Sequence, residues 1–507
     1  MGRMERALVG GTAVNLAGFF SRMVLVFLHG YVGARMYGAE RYGVYAQGMA
    51  VVAILAAATQ LGLGTALLHF VASGRAANGK QQLWAALRAS LGLSAVVSAL
   101  AAIALLVLPA GVAALFGDPQ VAAALRIQWA AIPFIGGTAI LAGFVHGFQD
   151  MAPKVLAQDV TGPAVELGLA VVLARLGRTQ SGLSVSHVAG ALVSCLVMAV
   201  FATLRLRRGP ESSAPVPSSA KILRQLSTFA LPVLAVALLA AGTNRASVLV
   251  LGVMGTSAAV GVLHILQRLA WLGDTFLASL NAMFAPMVAD LIHQRRIGEL
   301  DILYKASSRW ALASGLPVFI VLATYRYELL GIYGAEFVSG ATAFLVLLMG
   351  QAINVSTGSC GVVLTMSGHP RDSALGELLM LVTVTLGSIL LIPHFGMLGC
   401  AMASAIGFTL VNAMRVLLVW KHLKVQPLGR GTMQVLLAAA AMGAVALLLK
   451  RWMPSQLAMP LQMVVVVGLA GLTFVLLVLA QGLEPAEARL VHALRLRLVQ
   501  ARHGERH

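Results

Sequence analysis

Charged residues are scarce in this chain. Asp, Glu, Lys and Arg together make up 11% of its 507 residues, whereas hydrophobic residues make up 59%. The mean hydropathy is +0.87. A soluble protein of two or three domains carries far more charge on its surface, so this composition excludes that class at once.

The chain has few cysteines and lacks the common sequence signatures of soluble enzymes. The three cysteines, Cys195, Cys360 and Cys400, have no paired spacing and form no CxxC motif. This excludes a disulfide framework and a cysteine metal site, and we expect small packing residues instead. A P-loop, GxSxG, HExxH and a Rossmann glycine pattern are missing. The short segments 109–120 and 393–399 leave no room for a catalytic domain. We therefore expect a protein that is not an enzyme and has no metal site or cofactor.

Long apolar runs fill the chain almost from end to end. A helix that crosses the bilayer core needs about 20 apolar residues. The runs predict an all-α polytopic membrane protein with about fourteen transmembrane helices. The predicted spans are 8–32, 42–71, 84–108, 121–145, 155–176, 184–204, 224–252, 257–289, 304–325, 339–366, 374–392, 398–420, 433–449 and 460–480.

Positive charge is distributed unevenly between the segments that connect the spans. The start MGRMER is basic, but the apolar run after it is longer than that of a signal peptide, so we expect a retained first span. With a cytoplasmic N-terminus, the outer segments hold only Arg35, Arg41, Arg175, Arg178, Arg326, Lys450 and Arg451. The positive-inside rule then predicts that both termini are cytoplasmic. The net charge of +18 reflects this topology, so nucleic-acid binding need not be invoked.

The segment RLRRGPESSAPVPSSAK, residues 205–221, reads as a flexible cytoplasmic linker after the sixth span. Two halves on either side resemble each other: Gly43 matches Gly261 at an offset of 218, and Gly147 matches Gly368 at 221. Six spans per repeat preserve orientation, so we expect two pseudo-symmetric bundles related by an axis along the membrane normal. The predicted divisions are a six-helix bundle 1–208, a linker 209–223, a second bundle 224–425, two added helices 426–482 and a basic amphipathic cytoplasmic tail 483–507.

The first span carries a polar stripe. Asn15, Arg22 and His29 are seven residues apart, and Gly11 and Gly18 fall close to the same face at 3.6 residues per turn. An arginine facing lipid at mid-span costs about 2.5 to 3.5 kcal/mol, so we expect an inward-facing side chain. An arginine that only ties two helices together is the alternative.

Further polar groups lie on the seventh and eighth spans. The eighth carries His264, Gln267, Arg268, Trp271, Asp274 and Asn281, which project within roughly 140° on a continuous helix. This stripe favours the wall of a water-filled cavity over a polar seam between helices. The seventh span adds Asn244 and Arg245. Arg22, Arg245 and Arg268 would together cost on the order of 8 to 10 kcal/mol in lipid, so an anion or a hydrated cavity is expected to offset them.

Acidic residues within spans are fewer. Asp159 and Glu166 lie seven apart on the fifth span, and Asp274 and Glu377 are the others. Two interpretations stay open. These carboxylates either pair with the arginines or bind a coupling proton or sodium ion.

The order of motifs resembles the polysaccharide (O-antigen type) flippases of the multidrug/oligosaccharidyl-lipid/polysaccharide exporter superfamily. The segments that carry the resemblance are YGAERYGVYAQ (37–47), TQLGLGTALLHFVASGR (59–75), FALP (229–232), FAPMVADLIHQRRIGELDILYKASSRW (284–310) and GMLGCAMASAIG (396–407). The resemblance implies two six-helix bundles that flip an undecaprenyl-pyrophosphate-linked oligosaccharide from the inner to the outer leaflet. Related lipid II flippases use central arginines, and Arg22 and Arg245 look similar in placement.

These inferences combine in one hypothesis, alternating access around a central cationic cavity. Arg22, Arg245 and Arg268 would hold the pyrophosphate, helped by Asn15, His29, Asn244, His264, Trp271 and Asn281. Asp274, Asp159, Glu166 and Glu377 are the candidates for a coupling ion. We expect a monomer that binds membrane lipids and works beside glycan polymerase and chain-length proteins. The alternatives are a lipid II-type flippase, a multidrug exporter coupled to Na⁺ or H⁺, and a membrane glycan polymerase or ligase.

Overall fold

The computed structural model describes residues 2–73, 79–107, 109–148, 150–207, 219–453 and 459–481. These residues are almost entirely helical and include no strand. They form two compact units, an N-terminal unit (Met1–His264) and a C-terminal unit (Ile265–His507), and the division falls within one helix. Most of the predicted linker and the whole predicted tail lie outside the described residues.

The helices of the N-terminal unit are α1 (Gly2–Val32), α2 (Gly38–Thr59), α3 (Leu63–Ser73), α4 (Lys80–Val107), α5 (Pro109–Phe116), α6 (Pro119–Gln128), α7 (Ala131–His146), α8 (Ala152–Lys154), α9 (Gly162–Arg175), α10 (Gly182–Arg207), α11 (Ser219–Met254) and the start of α12 (Ser257–Ala270). Two π-helical segments, Gly33–Tyr37 and Val155–Thr161, precede α2 and α9. α10 packs against α7 and α9, while α2 packs against α6, α7 and α11.

The helices of the C-terminal unit are α13 (Asp274–His293), α14 (Ile297–Thr324), α15 (Arg326–Tyr333), α16 (Ala341–Ser356), α17 (Cys360–Met366), α18 (Pro370–Phe395), α19 (Met397–Leu423), α20 (Arg430–Trp452) and α21 (Met459–Gln481). A 3₁₀ segment, Ala335–Gly340, leads into α16. α19 packs against α16 and α18, and the last two helices pack on each other and on α14.

The helices match the predicted membrane spans. Among the described residues, 12 helical stretches are long and apolar enough to cross a membrane, or 13 if the pair Pro119–Gln128 and Ala131–His146, bent by 44°, is one span. The stretch Ala17–Thr59 has 43 residues. At about 1.5 Å per residue it is twice as long as a hydrocarbon core of about 30 Å, so it has the length for two crossings. The predicted all-α multi-pass membrane protein is confirmed.

Four predicted spans are not continuous helices, and this corrects the sequence interpretation. The spans 42–71, 121–145, 257–289 and 339–366 are each divided into two helices: α2 and α3, α6 and α7, α12 and α13, and α16 and α17. These are the second and fourth spans of each predicted half. A short helix, α5 or α15, also precedes the fourth span in both halves. The repeated order of broken helices supports the internal repeat.

Backbone conformation accounts for two of these breaks. Gly62 and Gly358 have φ values of +68° and +58°, a left-handed conformation that glycine adopts without a Cβ penalty. The break between α12 and α13 overturns the single polar stripe expected on the eighth span. Because α12 ends at Ala270 and α13 begins at Asp274, a rotation of 100° per residue cannot be carried across residues 271–273.

The glycines matched by the repeat lie against each other. A Cβ on Gly43 would lie 2.6 Å from the carbonyl carbon of Ser257 and 2.9 Å from the amide nitrogen of Gly261. A Cβ on Gly261 would lie 3.0 Å from the carbonyl carbon of Ala39 and 3.0 Å from the amide nitrogen of Gly43. Ala39 and Ser257 are also 218 residues apart. The crossing of α2 and α12 is therefore reciprocal, as at a twofold contact.

Candidate functional site

The polar face of α1 packs against the helix that carries the acidic pair. Gly18 faces Val155, Arg22 contacts Asp159, and His29 contacts Glu166. Each pair is 137 residues apart. A constant offset is the mark of two parallel helices in fixed register. The predicted common face of Gly18, Arg22 and His29 is confirmed, and so is that of the two carboxylates.

Arg22 forms the first contact of this register. Its Nη1 lies 3.4 Å from Oδ1 of Asp159, and the two side chains are 57% and 12% exposed. The π-helical turn beneath Asp159 has a local cause. Pro163 has no N–H to donate to the carbonyl of Asp159, and the amide of Gly162 bonds instead to Ala157 O, a π-type bond. The acid is buried, while more than half of the Arg22 side chain remains exposed.

Glu166 forms the second contact and lies at the centre of a cluster in which His29 and Tyr45 are buried and Glu166 and His187 are half-buried. Its Oε1 accepts a hydrogen bond of 2.9 Å from the hydroxyl of Tyr45. Nδ1 of His187 lies 3.1 Å from the same oxygen, and Nε2 of His29 lies 3.7 Å from it. The four residues come from α9, α2, α10 and α1. We call this group the Glu166 cluster.

Aromatic rings continue from this cluster to α12. The Tyr45 ring lies 5.8 Å from the ring of His29 and 6.0 Å from that of His187. On its other side Tyr45 lies 5.8 Å from Tyr42, whose ring is 5.5 Å from that of His264. His264 is buried. The sequence predicted that His264 contacts the substrate, and the structure places its ring against the ring of Tyr42.

Neutral and acidic groups also meet near the start of α12. Gln47 donates to Ser257 Oγ at 3.2 Å, and Ser257 Oγ donates to Asp118 Oδ2 at 2.6 Å. Gln128 donates to the Tyr45 carbonyl at 3.3 Å and to Ser184 Oγ at 3.0 Å. These bonds fix α2 against α6, α10 and α12.

The other predicted site residues lie on α11, on α12, and in and beyond the break that follows α12. Asn244 is exposed, while Arg245 and Arg268 are half-buried on α11 and α12. Trp271 is exposed in the break before α13, and Asn281 is half-buried on α13. A common site for the three arginines stays a prediction. The side chains of Asn15 and Asp274 lie outside the described part of the chain.

Glu377, the remaining acidic candidate, has an arginine partner within the C-terminal unit. Its Oε1 accepts a hydrogen bond of 2.6 Å from Nη2 of Arg415. Asp159 thus contacts one of the three arginines named from the sequence, whereas Glu377 pairs with Arg415, an arginine outside that set. Within the described residues, no group of three or more His, Cys, Asp or Glu side chains could hold a metal ion.

Sequence reasoning missed three members of this site. His187 stands near the start of its span, where an interfacial position explained it, and Tyr42 and Tyr45 were read only as part of a motif. Their spacing of three residues places both rings on one face of α2, which was a usable signal. The pairing of His187 with Glu166 joins different helices, and no spacing within one helix reports it.

The fold is shared with known transporters. A lipid II flippase, MurJ, in an inward closed conformation matches with a TM-score of 0.74 and 11% identity over 92% of this chain and 97% of that one. An inward-facing multidrug resistance transporter of the MATE family and MOP superfamily matches with 0.64 and 16%, over 82% and 98%. A MOP superfamily transporter from Pyrococcus furiosus matches with 0.57 and 15%, over 83% and 96%.

At such low sequence identities, these structural matches show a shared fold and no more. No curated protein matches the chain at the level of sequence. A family model described as polysaccharide biosynthesis protein matches residues 8–291, which is more than half of the chain. This match confirms the family resemblance of the motifs, and the chain belongs to the polysaccharide biosynthesis protein family.

Proposed function

We propose that this protein flips an undecaprenyl-pyrophosphate-linked oligosaccharide from the inner to the outer leaflet of the bacterial inner membrane, with both termini in the cytoplasm. Two findings support the substrate class: the family is one of polysaccharide biosynthesis, and the fold is shared with a flippase of lipid II. Alternating access exposes the binding residues first to one side of the membrane and then to the other.

The observation that carries the proposal is the state of Arg22. It is a permanent cation in a membrane-spanning helix, its side chain is 57% exposed, and Asp159 contacts it through a single oxygen at 3.4 Å. A guanidinium has five N–H donors in a planar fork. Donors not directed at Asp159 are available to a ligand with several oxygens. A pyrophosphate offers such oxygens, and arginine binds phosphate in a bidentate manner.

Arg245, on α11 of the same N-terminal unit, is proposed to join Arg22 in binding the anion, with Asn244 as a neighbour of the phosphate or sugar. The lipid tail stays in the bilayer during flipping. About two negative charges that move outward across an inside-negative potential gain roughly 4 to 5 kcal/mol per 100 mV when no cation moves with them. The membrane potential therefore favours outward movement. Glycan polymerase and chain-length proteins would receive the product.

The test measures flipping in vesicles that contain the purified protein and a fluorescent undecaprenyl-pyrophosphate-linked oligosaccharide. A membrane-impermeant reagent quenches only the outer leaflet. We expect Arg22→Ala to slow flipping by about tenfold or more. The variant loses at least one charge-assisted hydrogen bond to the lipid, and a loss of about 1.5 kcal/mol corresponds to a factor of about ten. Arg22→Lys should fall in between because lysine keeps the charge but not the fork.

The matched control is Arg88→Ala. Arg88 is an exposed arginine of α4 that lies over the Trp84 ring at 5.8 Å, away from the polar face of α1. It should flip at the wild-type rate. Equal rates for the wild type and Arg22→Ala, both well folded, would refute the role of Arg22.

A cation-coupled multidrug exporter is the second candidate, favoured by two carboxylates in the N-terminal unit, that of the buried Asp159 and that of the half-buried Glu166. Vesicles loaded with a cationic dye distinguish the two functions. Ion-driven dye export without oligosaccharide flipping would establish the exporter and overturn the flippase.

A further inference from the structure

The Glu166 cluster places two histidines against one carboxylate. One carboxylate faces two imidazoles, those of His29 and His187, and one phenol, that of Tyr45. An imidazole ordinarily has a pKa of about 6.5, so it gains or loses a proton between about pH 5 and 8. An arginine in the same place would keep its charge throughout.

We propose that Glu166, His29 and His187 form a proton-binding site in the N-terminal unit, and that the proton bound there is exchanged during transport. The second part rests on the proposed function, whereas proton binding itself does not. In the binding step a ring nitrogen lone pair accepts H⁺ and becomes an N–H. No electron is transferred and no bond other than N–H forms.

His187 offers a definite atom for this step. When its Nδ1–H donates to Glu166, the lone pair of the neutral ring is on Nε2. That Nε2 is buried and has no hydrogen-bond partner among the residues that the structure describes. Protonation there leaves the bond to Glu166 in place and turns the pair into an imidazolium and a carboxylate. The site can therefore bind a proton without losing the contact that holds it together.

Charge counting shows why such a site responds to protons. With both imidazoles neutral the trio carries one negative charge, with one protonated it is neutral, and with both protonated it carries one positive charge. The nearby Arg22 and Asp159 already balance each other. A buried net charge is costly, so each proton changes the energy of the packed arrangement of α1, α9 and α10.

The elements packed around the trio carry other ionisable groups. Among the described side chains these are Arg22 and Tyr31 on α1, Arg35 and Tyr37 before α2, Glu40, Arg41, Tyr42 and Tyr45 on α2, Asp159 in the π segment, Arg175 on α9, Cys195, Arg205 and Arg207 on α10, and His264 on α12. Tyr37 donates to the carbonyl of Ala170 at 2.7 Å. Phenols ordinarily ionise near pH 10 and carboxylates near pH 4. His264 is separated from Glu166 by both tyrosine rings.

The donor set favours a proton over a metal cation. A hard cation binds oxygen ligands. Here Tyr45 directs its hydroxyl proton at Glu166, and His187 lies at hydrogen-bond distance on the same carboxylate oxygen. Glu377 provides the contrast, because its partner Arg415 cannot release a proton near neutral pH. An exchange site at Glu377 would have to break its ion pair.

The first test measures proton binding without substrate. Infrared difference spectra between about pH 5.5 and 8 are recorded on the full chain, with its histidines isotope-labelled, in phosphatidylethanolamine and phosphatidylglycerol vesicles. We expect a carboxylate band that changes together with an imidazole band, and its loss in Glu166→Gln. Glu299→Gln, an exposed acid paired with Arg296, is the control and should keep the band.

A second variant guards against misfolding. Tyr45→Phe keeps the ring that packs on both imidazoles and removes one donor to Glu166. The loss of one hydrogen bond should move the midpoint of the coupled bands by about half to one pH unit. Spectra of the wild type and Glu166→Gln that agree, or a midpoint that Tyr45→Phe leaves unchanged, would overturn the site.

The transport arm separates this inference from the proposed function. For a stoichiometry of one proton, a gradient of one pH unit changes the limiting distribution of labelled lipid about tenfold. We expect this response in the wild type and not in His187→Gln. A wild type that flips the lipid without a pH response would overturn proton exchange and leave the flippase intact. Coupled infrared bands in a protein that flips no lipid would uphold the site and overturn the proposed function.

Discussion

The crossing of α2 and α12 predicts that adding one methyl group at Gly43 destabilises the N-terminal unit. A Cβ there would meet the Ser257 carbonyl carbon at 2.6 Å and the Gly261 nitrogen at 2.9 Å. This is roughly 1 Å closer than an ordinary contact between such atoms. The obstructing atoms belong to backbone on a packed helix, so they cannot rotate away as a side chain can.

The magnitude follows from two opposing effects. Replacing glycine by alanine inside a helix favours the helix by about 1 kcal/mol. Overpacking costs about 1 to 3 kcal/mol, and backbone obstruction favours the upper end of that range. We expect Gly43→Ala to lower the free energy of unfolding by about 2 kcal/mol, which corresponds to a decrease in Tm of about 4 to 8 °C. Because the contact is reciprocal, Gly261→Ala should do the same.

Gly168→Ala is the matched control. Gly168 lies in α9, and its added Cβ would meet nothing within 4 Å. Only the helix-propensity effect remains, so this variant should be unchanged or more stable by up to about 1 kcal/mol. A thiol-reactive dye follows unfolding in detergent, since Cys360 and Cys400 are buried and Cys195 is half-buried. Equal Tm values for Gly43→Ala and Gly168→Ala would refute the close crossing.

Three further changes test other contacts. Asp159→Asn should slow flipping of the labelled lipid several-fold while the protein stays folded, because Arg22 loses the charge that positions it; wild-type flipping would contradict that role. Arg415→Gln should lower Tm, because Glu377 then keeps its charge without its partner, at a cost of about 1 to 3 kcal/mol. When Glu377 is replaced by Gln as well, Tm should recover in part. Gly62→Ala should cost about 1 to 2 kcal/mol of unfolding free energy because its φ is +68°; a wild-type Tm would show that this turn adapts.

Hydropathy predicted where helices run, because a membrane span must be long and apolar whatever its neighbours are. It did not predict the breaks at Gly62, Gly358 and residues 271–273. Averaging over a span does not register one residue in a left-handed conformation, and a break of three residues leaves the mean hydropathy nearly unchanged. The presence of a helix and its continuity are therefore predicted unequally well from sequence. The presence of a helix depends on the average hydropathy of a whole span, whereas its continuity depends on single residues.

For the site, spacing within one helix predicted which residues share a face. Arg22 and His29 do share one, and so do Asp159 and Glu166. Which faces of two helices pack against each other depends on residues that are 137 positions apart in the chain. The spacing within a single sequence gives no information about such a contact. This is why His187 was left out, although it lies nearer to Glu166 than His29 does.

Where α1 packs against the π segment and α9, two different kinds of ion pair lie about 10 Å apart along the helix axis. This distance follows from their separation of seven residues at about 1.5 Å per residue. The pair at Arg22 is permanently charged and accessible, as the proposed binding of a diphosphate needs. The pair at His29 combines a buried imidazole with a half-buried carboxylate, and an imidazole, unlike a guanidinium, can lose its proton near neutral pH. A helix pair built with arginine at both levels would bind the anion but could not register pH. One built with histidine at both would lose its anion site as the pH rises. The chain carries one of each, so the two levels suit the two proposed tasks, binding of an anion at Arg22 and a response to pH at His29.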